Sequence, residues 1–226
     1  MNINTIKLSG VFGFSTLVLS LVGLFLYPNK AELSEGFRTP IIAFEFASSE
    51  EDLNFLTGNS EAAKNARRTM KNGQNLDMIF PFVYAGFILF LVLSTNNPYT
   101  LLRLLGIIIS VLIVPFDLYE NYILDLILNC LNDSKSITEL LPTLKIATWL
   151  KWGSISFVLA TLSISHIRNK QLLSALISSI VSLSIFSTAI ANGNGFVAET
   201  MMIFVSVFFV YFGIRSLVLY YKSRPT

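Results

Sequence analysis

The chain has 226 residues, 53% of them hydrophobic and 13% charged, with a formal net charge of +2 and a mean hydropathy of +0.64. A soluble domain carries about twice that charged share, so a water-soluble core of this length is excluded as the simplest account, and the scattered basic residues form no phosphate-tracking stripe for nucleic acid. Cys130 is the only cysteine, which rules out an intrachain disulfide and a thiolate zinc cage and leaves it as a small apolar filler.

In chain order, the first apolar run covers about 8–27 and follows Lys7. It exceeds the roughly 7–15 residues of a signal-peptide core, and Tyr27-Pro28-Asn29-Lys30-Ala31 offers no small-x-small cleavage site. It reads as a retained transmembrane helix, and no cysteine follows it to carry a lipid. Residues 28–75 form the one long polar segment. Within it Phe37, Ile41, Ile42, Phe44 and Phe46 make an apolar piece around Pro40, too short to span and expected at the interface or dipping back toward the bundle. Ser48-Ser49-Glu50-Glu51-Asp52 predicts the start of a short helix carrying Leu53 and Leu56, stopped at Gly58. Asn59-Ser60-Glu61 predicts a second helix, with Lys64, Arg67, Arg68 and Lys71 late in it and Gly73 as its end.

Further runs near 76–95, 101–124, 144–166, 172–191 and 197–220 each supply the ~20 apolar residues a bilayer requires. Short links at Asn96-Asn97-Pro98, His166–Lys170 and Asn192-Gly193-Asn194-Gly195, and a longer polar one at 129–141, imply antiparallel neighbours. With no repeat and no linker, the fold class is all-α: a six-helix transmembrane bundle forming one membrane domain over 1–226. Six spans place 28–75, 129–141 and 192–196 on one face. The opposite face, with both termini, holds Lys7, Arg103, Arg168, Lys170, Arg215, Lys222 and Arg224. That basic bias predicts cytoplasmic termini in a bacterial inner membrane, although the 28–75 loop carries six basic residues of its own.

The ionisable residues inside the spans converge. Asp77 is expected to open the second span, Asp117, Glu120 and Asn121 end the third, Lys145 and Lys151 begin the fourth and Glu199 opens the sixth, all in the half facing the long loop. Asp117, Glu120 and Asn121 stand at i, i+3, i+4 and share one helix face, and Pro115 before them permits a kink with a free carbonyl. Charges at that depth are costly unless paired or hydrated. They fit either interhelical ion pairs, with Lys151 answering Asp117 or Glu120, or a hydrated pocket under the loop.

Phe44-Glu45-Phe46-Ala47-Ser48, Leu76-Asp77 with Phe80 and Tyr84, Asp117-x-x-Glu120-Asn121 and Trp149 with Lys151 resemble the landmarks of a family of small, uncharacterised bacterial polytopic membrane proteins. The resemblance covers about 40–155 and implies that Glu45, Asp77, Tyr84, Asp117, Glu120, Asn121 and Lys151 form one set; it implies no substrate, and Glu199 falls outside it.

His166 is the only histidine and is expected in a solvated loop, so a multi-histidine metal site cannot be built. No Ser-His pairing, nucleophile elbow, phosphate loop or acid-rich diphosphate box appears. No cofactor and no metal are expected. Ser174, Ser178 and Ser182 read as small-residue helix packing; Phe204, Phe208, Phe209, Tyr211 and Phe212 read as lipid-facing or interfacial, and Tyr220 and Tyr221 as an anchoring belt. The function expected is binding of a small amphiphile with a polar or cationic head, in contact with membrane lipids, through Glu45, Asp77, Tyr84, Asp117, Glu120, Asn121, Lys151 and Glu199. A cofactor-free acid–base enzyme on a lipid-like substrate and a small transporter are the alternatives, the latter without repeated halves or paired broken helices to support it.

Overall fold

The computed structural model describes residues 3–28, 31–96 and 99–222. Asn29 and Lys30 after the first apolar run, Asn97 and Pro98 of the first short link and Arg224 near the C-terminus lie outside the described residues. The described chain is all-α: α1 (Ile3–Leu26), α2 (Pro40–Glu45), α3 (Glu61–Asp77), α4 (Phe80–Ser94), α5 (Thr100–Asn132), α6 (Leu141–Arg168), α7 (Leu172–Ile190) and α8 (Gly195–Lys222), with one 3₁₀ turn at Glu51–Leu53.

Six of these helices close a ring. In order around it come α1, α4, α5, α6, α7 and α8, and α8 returns to pack on α1. Short links make each of the last five a neighbour of the next, as the sequence predicts. The interior is filled by Phe87, Ile88, Ile113, Val158, Phe208 and Phe212 among others. Phe208 and Phe212 are therefore core, not lipid-facing: α8 presents them inward, where Phe212 stacks on His166. Phe209 packs on Phe87 and Tyr84. Ser174 and Ser178 are buried, while Ser156–Ser182 and Ser163–Ser179 hydroxyl pairs join α6 to α7, so small polar residues do pack this seam.

Four helices, α1, α5, α7 and α8, are long and apolar enough to cross a bilayer, and a fifth span results if α3 and α4, bent by 41° at their break, count as one. Two expected spans fall short for separate reasons. The 76–95 run is divided at Met78–Ile79, because Pro81 in the first turn of α4 cannot continue a helix from upstream; Asp77 thus ends α3 and does not open the second span. α6 has the length, 28 residues, but is diluted by Lys145, Lys151, Gly153, His166 and several serines and threonines. Thr148, Lys151, Thr161, Ser163, Ser165 and His166 are all buried, so its polarity is turned into the protein.

The segment from Ala31 to Ile79 roofs one end of the ring. Ala43, Phe44, Leu53, Leu56 and Met70 pack there on Ile123, Leu124, Ile127 and Leu144 of α5 and α6, which places α2 inside the bundle end. The loop helix expected from Ser48-Ser49-Glu50-Glu51-Asp52 through Leu56 is a single 3₁₀ turn at Glu51–Leu53, preceded by the Asp52 carboxylate accepting from the Ser48 and Ser49 amides, both at 2.9 Å. α3 starts at the expected Ser60 cap, whose hydroxyl accepts from Ala63 N. It continues through Gly73 to Asp77 because Gly73 is a contact, not a stop. The Tyr27 ring lies on it, and a Cβ there would fall 2.3 Å from that ring. α5 likewise runs unbroken through Pro115 to Asn132, eight residues beyond its expected end at 124.

Polar contacts gather the links at the two ends of the ring. Glu50 of the roof accepts from Ser136 Oγ, Ile137 N and Thr138 Oγ1 at 2.7–3.1 Å, Lys145 donates to Asn192 Oδ1 at 2.6 Å, and Gly36 lies against Gly195 and Phe196. At the other end Arg168 donates to Tyr99 Oη and Asn169 to the Asn96 carbonyl.

Gly13 and Gly213 let α1 and α8 meet: a Cβ on Gly13 would lie 3.1 Å from the Gly213 Cα and 2.8 Å from the Phe87 ring. Gly13→Val is expected to lower unfolding stability by about 1–3 kcal/mol through overpacking, whereas Gly153→Ala, with nothing within 4 Å of its new carbon, is expected to be neutral or stabilising; equal stability of the two variants in thermal unfolding contradicts the packing. The roof anchors carry their own pH signature. Hydrogen bonds from Thr138, Ser136 and Ile137 hold Glu50 below its ordinary 4.5, and at Asp52 partial burial raises the pKa but the Ser48 and Ser49 donors outweigh it, leaving it below 3.8. A depressed carboxyl stabilises the folded form above its unfolded pKa and loses that contribution as pH falls through its folded value. Hydrogen-exchange protection of Ser48, Ser49 and Ile137 is thus expected to hold from pH 7 to about 4.5 and to fall only below it; loss already between pH 7 and 5 contradicts the anchoring.

Candidate functional site

Under the roof, two polar strings meet on one face of α5. Glu120, at 0% exposure, pairs through Oε2 with Lys151 Nζ of α6, and the same ammonium lies 2.9 Å from Glu45 Oε2 at the end of α2. Glu45 Oε2 also accepts from Trp152 Nε1 at 3.0 Å, and its backbone carbonyl accepts from Thr148 Oγ1 at 3.0 Å. The Lys151 ammonium stands 5.0 Å from the Trp152 ring centroid, a favourable cation–π approach. One helical turn earlier, Asp117 accepts from Tyr84 Oη of α4 and, at 3.3 Å, from Asn121 Nδ2. Asn121 also donates to the Asp77 carbonyl at 2.9 Å, and the Asp77 carboxylate accepts from Tyr27 Oη.

Seven of the eight residues singled out from the sequence are therefore bonded into adjacent networks. Lys151 answers Glu120, as one of the two expected partners, and Glu45 in place of Asp117, which is turned to Tyr84. Glu199 stands apart in its bonds: Oε1 accepts from the Arg38 and Thr39 amides and Oε2 from Thr39 Oγ1, at 2.7–2.9 Å, so it fastens the roof to α8. Lys145 faces Asn192 outside the cluster. His166 is a correction of another kind. It is buried, not solvated, because α6 runs past it to Arg168; its Nδ1 lies 2.8 Å from Gln171 Oε1.

Three members escape sequence reasoning. Thr148 and Trp152 flank Lys151 at i−3 and i+1, which reproduces on α6 the i, i+3, i+4 spacing of Asp117, Glu120 and Asn121; that periodicity was available as a signal. Tyr27 has no such mark beyond being the polar end of an apolar run.

The chemistry follows from stoichiometry. Glu45, Asp77, Asp117 and Glu120 bring four carboxyl groups to the networks and Lys151 brings one ammonium. Carboxylates out of water are stable only when paired, hydrogen-bonded or protonated. Glu120 Oε1 is buried without a hydrogen-bond partner, as are both amide atoms of Gln74, one turn before Asp77 on α3. Protons or a further cation are thus needed to balance the cluster's carboxyl groups, and Glu120 Oε1 and the Gln74 amide are open to a polar partner. The cluster's opening to the roof side, between Glu45–Ser48, Lys145, Thr148, Trp149 and Asn192–Gly193, is about 10 Å³, the room of roughly one water; the Lys145 ammonium at its rim is bonded to Asn192. Among the described residues no group of three or more His, Cys, Asp or Glu is placed to hold a metal ion.

No protein-family model matches the chain, and no curated protein and no solved structure is significantly similar to it.

Lys151→Met leaves two buried carboxylates facing each other and is expected to cost about 3–5 kcal/mol. Adding Glu120→Gln or Glu45→Gln to it is expected to recover part of that loss. Thermal or denaturant unfolding of the single and double variants measures the coupling, and strictly additive losses in both cycles contradict the bridge.

Proposed function

We propose that the protein is a six-span integral membrane protein, both termini cytoplasmic in a bacterial inner membrane, whose roofed acid cluster binds a small amphiphile with a cationic head. The spans are the six ring helices, the second being α4 joined to the bent end of α3; α6 qualifies because its polar residues face the protein, and the outward sides of α1, α5, α7 and α8 carry exposed Phe14, Leu21, Phe25, Leu104, Val111, Leu172, Leu183, Ile203 and Ile214. The observation that carries the ligand reading is the excess of carboxyl groups over cations in the cluster. Phe46 and Trp149, with ring centroids 5.4 Å apart, wall the opening beside Glu45, a setting in which aromatic faces and a carboxylate attract the same cation. Because the opening has room for only about one water, a head enters as α2 and residues 46–48 give way. The residues that resemble the landmarks of a bacterial membrane family fall on this cluster, in keeping with reading them as one set.

A second reading, a cofactor-free acid–base enzyme on a lipid-like substrate, is favoured by Glu120 Oε1 lying buried without a partner near the Tyr84–Asp117 pair. Turnover in the purified protein distinguishes it from binding alone.

Dodecylammonium is the probe for the first reading. Purified protein in an uncharged detergent is expected to gain thermal stability on its addition, with the gain abolished in Asp117→Asn/Glu120→Gln; a gain of equal size in that variant, or none in the wild type, refutes cationic-head binding. Topology is tested separately in a Cys130→Ser background. Lys64→Cys and Lys222→Cys are expected to label from opposite sides of intact vesicles, and labelling from one side removes the six-span path.

A further inference from the structure

Charge is segregated along the bundle. All 14 acidic residues fall within 32–77, 117–139 and at 199, in the roof and the helix halves beneath it, and every ion pair among the described residues lies there as well. The opposite end has no acidic residue. It is assembled from the start of α1, the end of α4, the start of α5, the α6–α7 turn and the end of α8, joined by Ser9–Ser216, Arg168–Tyr99, Asn169–Asn96 and Arg215–Gln171 bonds. Lys7, Arg103, Arg168, Lys170, Arg215 and Lys222 stand on it, all exposed except the half-buried Arg215.

Two of these cations are held in place by neutral partners. Arg168 spends one donor on Tyr99 Oη at 2.5 Å with its guanidinium 5.4 Å from that ring, and Arg215 spends one on Gln171 Oε1 at 2.8 Å, 5.9 Å from the Phe212 ring. A guanidinium has five N–H donors in a fixed fork suited to phosphate oxygens. Each therefore keeps its full charge and most of its donors while its position is set. Just inside them the outward surface turns apolar, at Leu101, Leu104, Leu172, Leu173 and Ile214, with Tyr99 and Tyr221 also exposed at the boundary. Aromatic and basic residues bordering an apolar band mark headgroup depth.

We propose that this end is a docking surface for the headgroup phosphates of an anionic phospholipid leaflet, with Arg168 and Arg215 as positioned phosphate donors and Lys7, Arg103, Lys170 and Lys222 adding screened, longer-range attraction. The proposal rests on the membrane-spanning reading, and it is independent of what the acid cluster binds. Protein reconstituted into nanodiscs of phosphatidylglycerol is expected to melt several degrees higher than in phosphatidylcholine, with the difference shrinking in high salt. Arg168→Gln/Lys170→Gln is expected to remove most of the difference, and adding Arg215→Gln the rest, while Lys64→Gln/Lys135→Gln at the roof end leaves it unchanged. The double variant changes only exposed side chains, so it carries the test even if Arg215→Gln disturbs α8. Equal melting in the two lipids, retention of the difference in the double variant, or its reproduction by inorganic phosphate added to phosphatidylcholine discs overturns the proposal. Failure of the protein to enter either nanodisc, with the chain soluble without detergent, instead removes the membrane reading beneath it.

Discussion

The position of one ammonium determines how the roof end of this protein is put together. Lys151 lies between Glu45 and Glu120, and these three side chains come from α2, α5 and α6. An ammonium or a carboxylate in such a place is stable only with its partner, so the burial of α2 and the close approach of α5 to α6 depend on each other. Trp152 and Thr148 extend the same dependence to the Glu45 side chain and carbonyl. The rest of the roof has neutral or surface anchors: Glu199 to the Arg38 and Thr39 amides, Glu50 to residues 136–138, and the apolar packing of Phe44, Leu53 and Leu56. These hold a segment whose depth the buried ion bridge sets.

The ring of helices inverts the usual arrangement only in part. Apolar side chains cover the outside of α1, α5, α7 and α8, yet the inside is also mainly apolar, with Phe87, Phe208 and Phe212 at its centre. Ionisable groups inside are gathered at two levels, the acid cluster under the roof and the His166–Gln171–Arg215 contacts near the other end, with buried hydroxyls such as Thr16, Ser110, Ser163 and Ser178 elsewhere. α6 crosses both. Its low apolar content is the mark of a helix whose polar side chains have protein partners on either side, Glu45 and Glu120 at one level and Ser179 and Gln171 at others.

Much of this could be read from residue order. The face shared by Asp117, Glu120 and Asn121 follows from helical spacing alone, and the up-and-down path brings Lys151 to their level whatever the absolute orientation. Local pattern failed where a residue's role depends on what crosses it from far away. Gly73 has the look of a helix stop, and only the Tyr27 ring lying on it explains why the helix continues. His166 has the look of a loop residue until Phe212 covers it. The aromatic run of α8 is equally suited to lipid or to core, because both are apolar, and the choice was made by the ring closing on α1 and α7. Thr148 and Trp152 were legible in principle by the spacing that revealed the acids of α5, but threonine and tryptophan carry no charge to draw attention to it.

The bridge also has an order in time. Glu45 and the indole that binds it are separated by 107 positions, and Lys151 lies next to that indole, so the carboxylate is synthesised long before either partner. At about 5–20 residues per second, that interval is roughly 5–20 s. Through it Glu45 stays in water or holds a proton, since burying α2 without the ammonium strands a bare carboxylate. Emergence of α6 from the ribosome is the earliest moment at which the roof can seat with Glu45 ionised, and Glu199, later still on α8, fastens it afterwards.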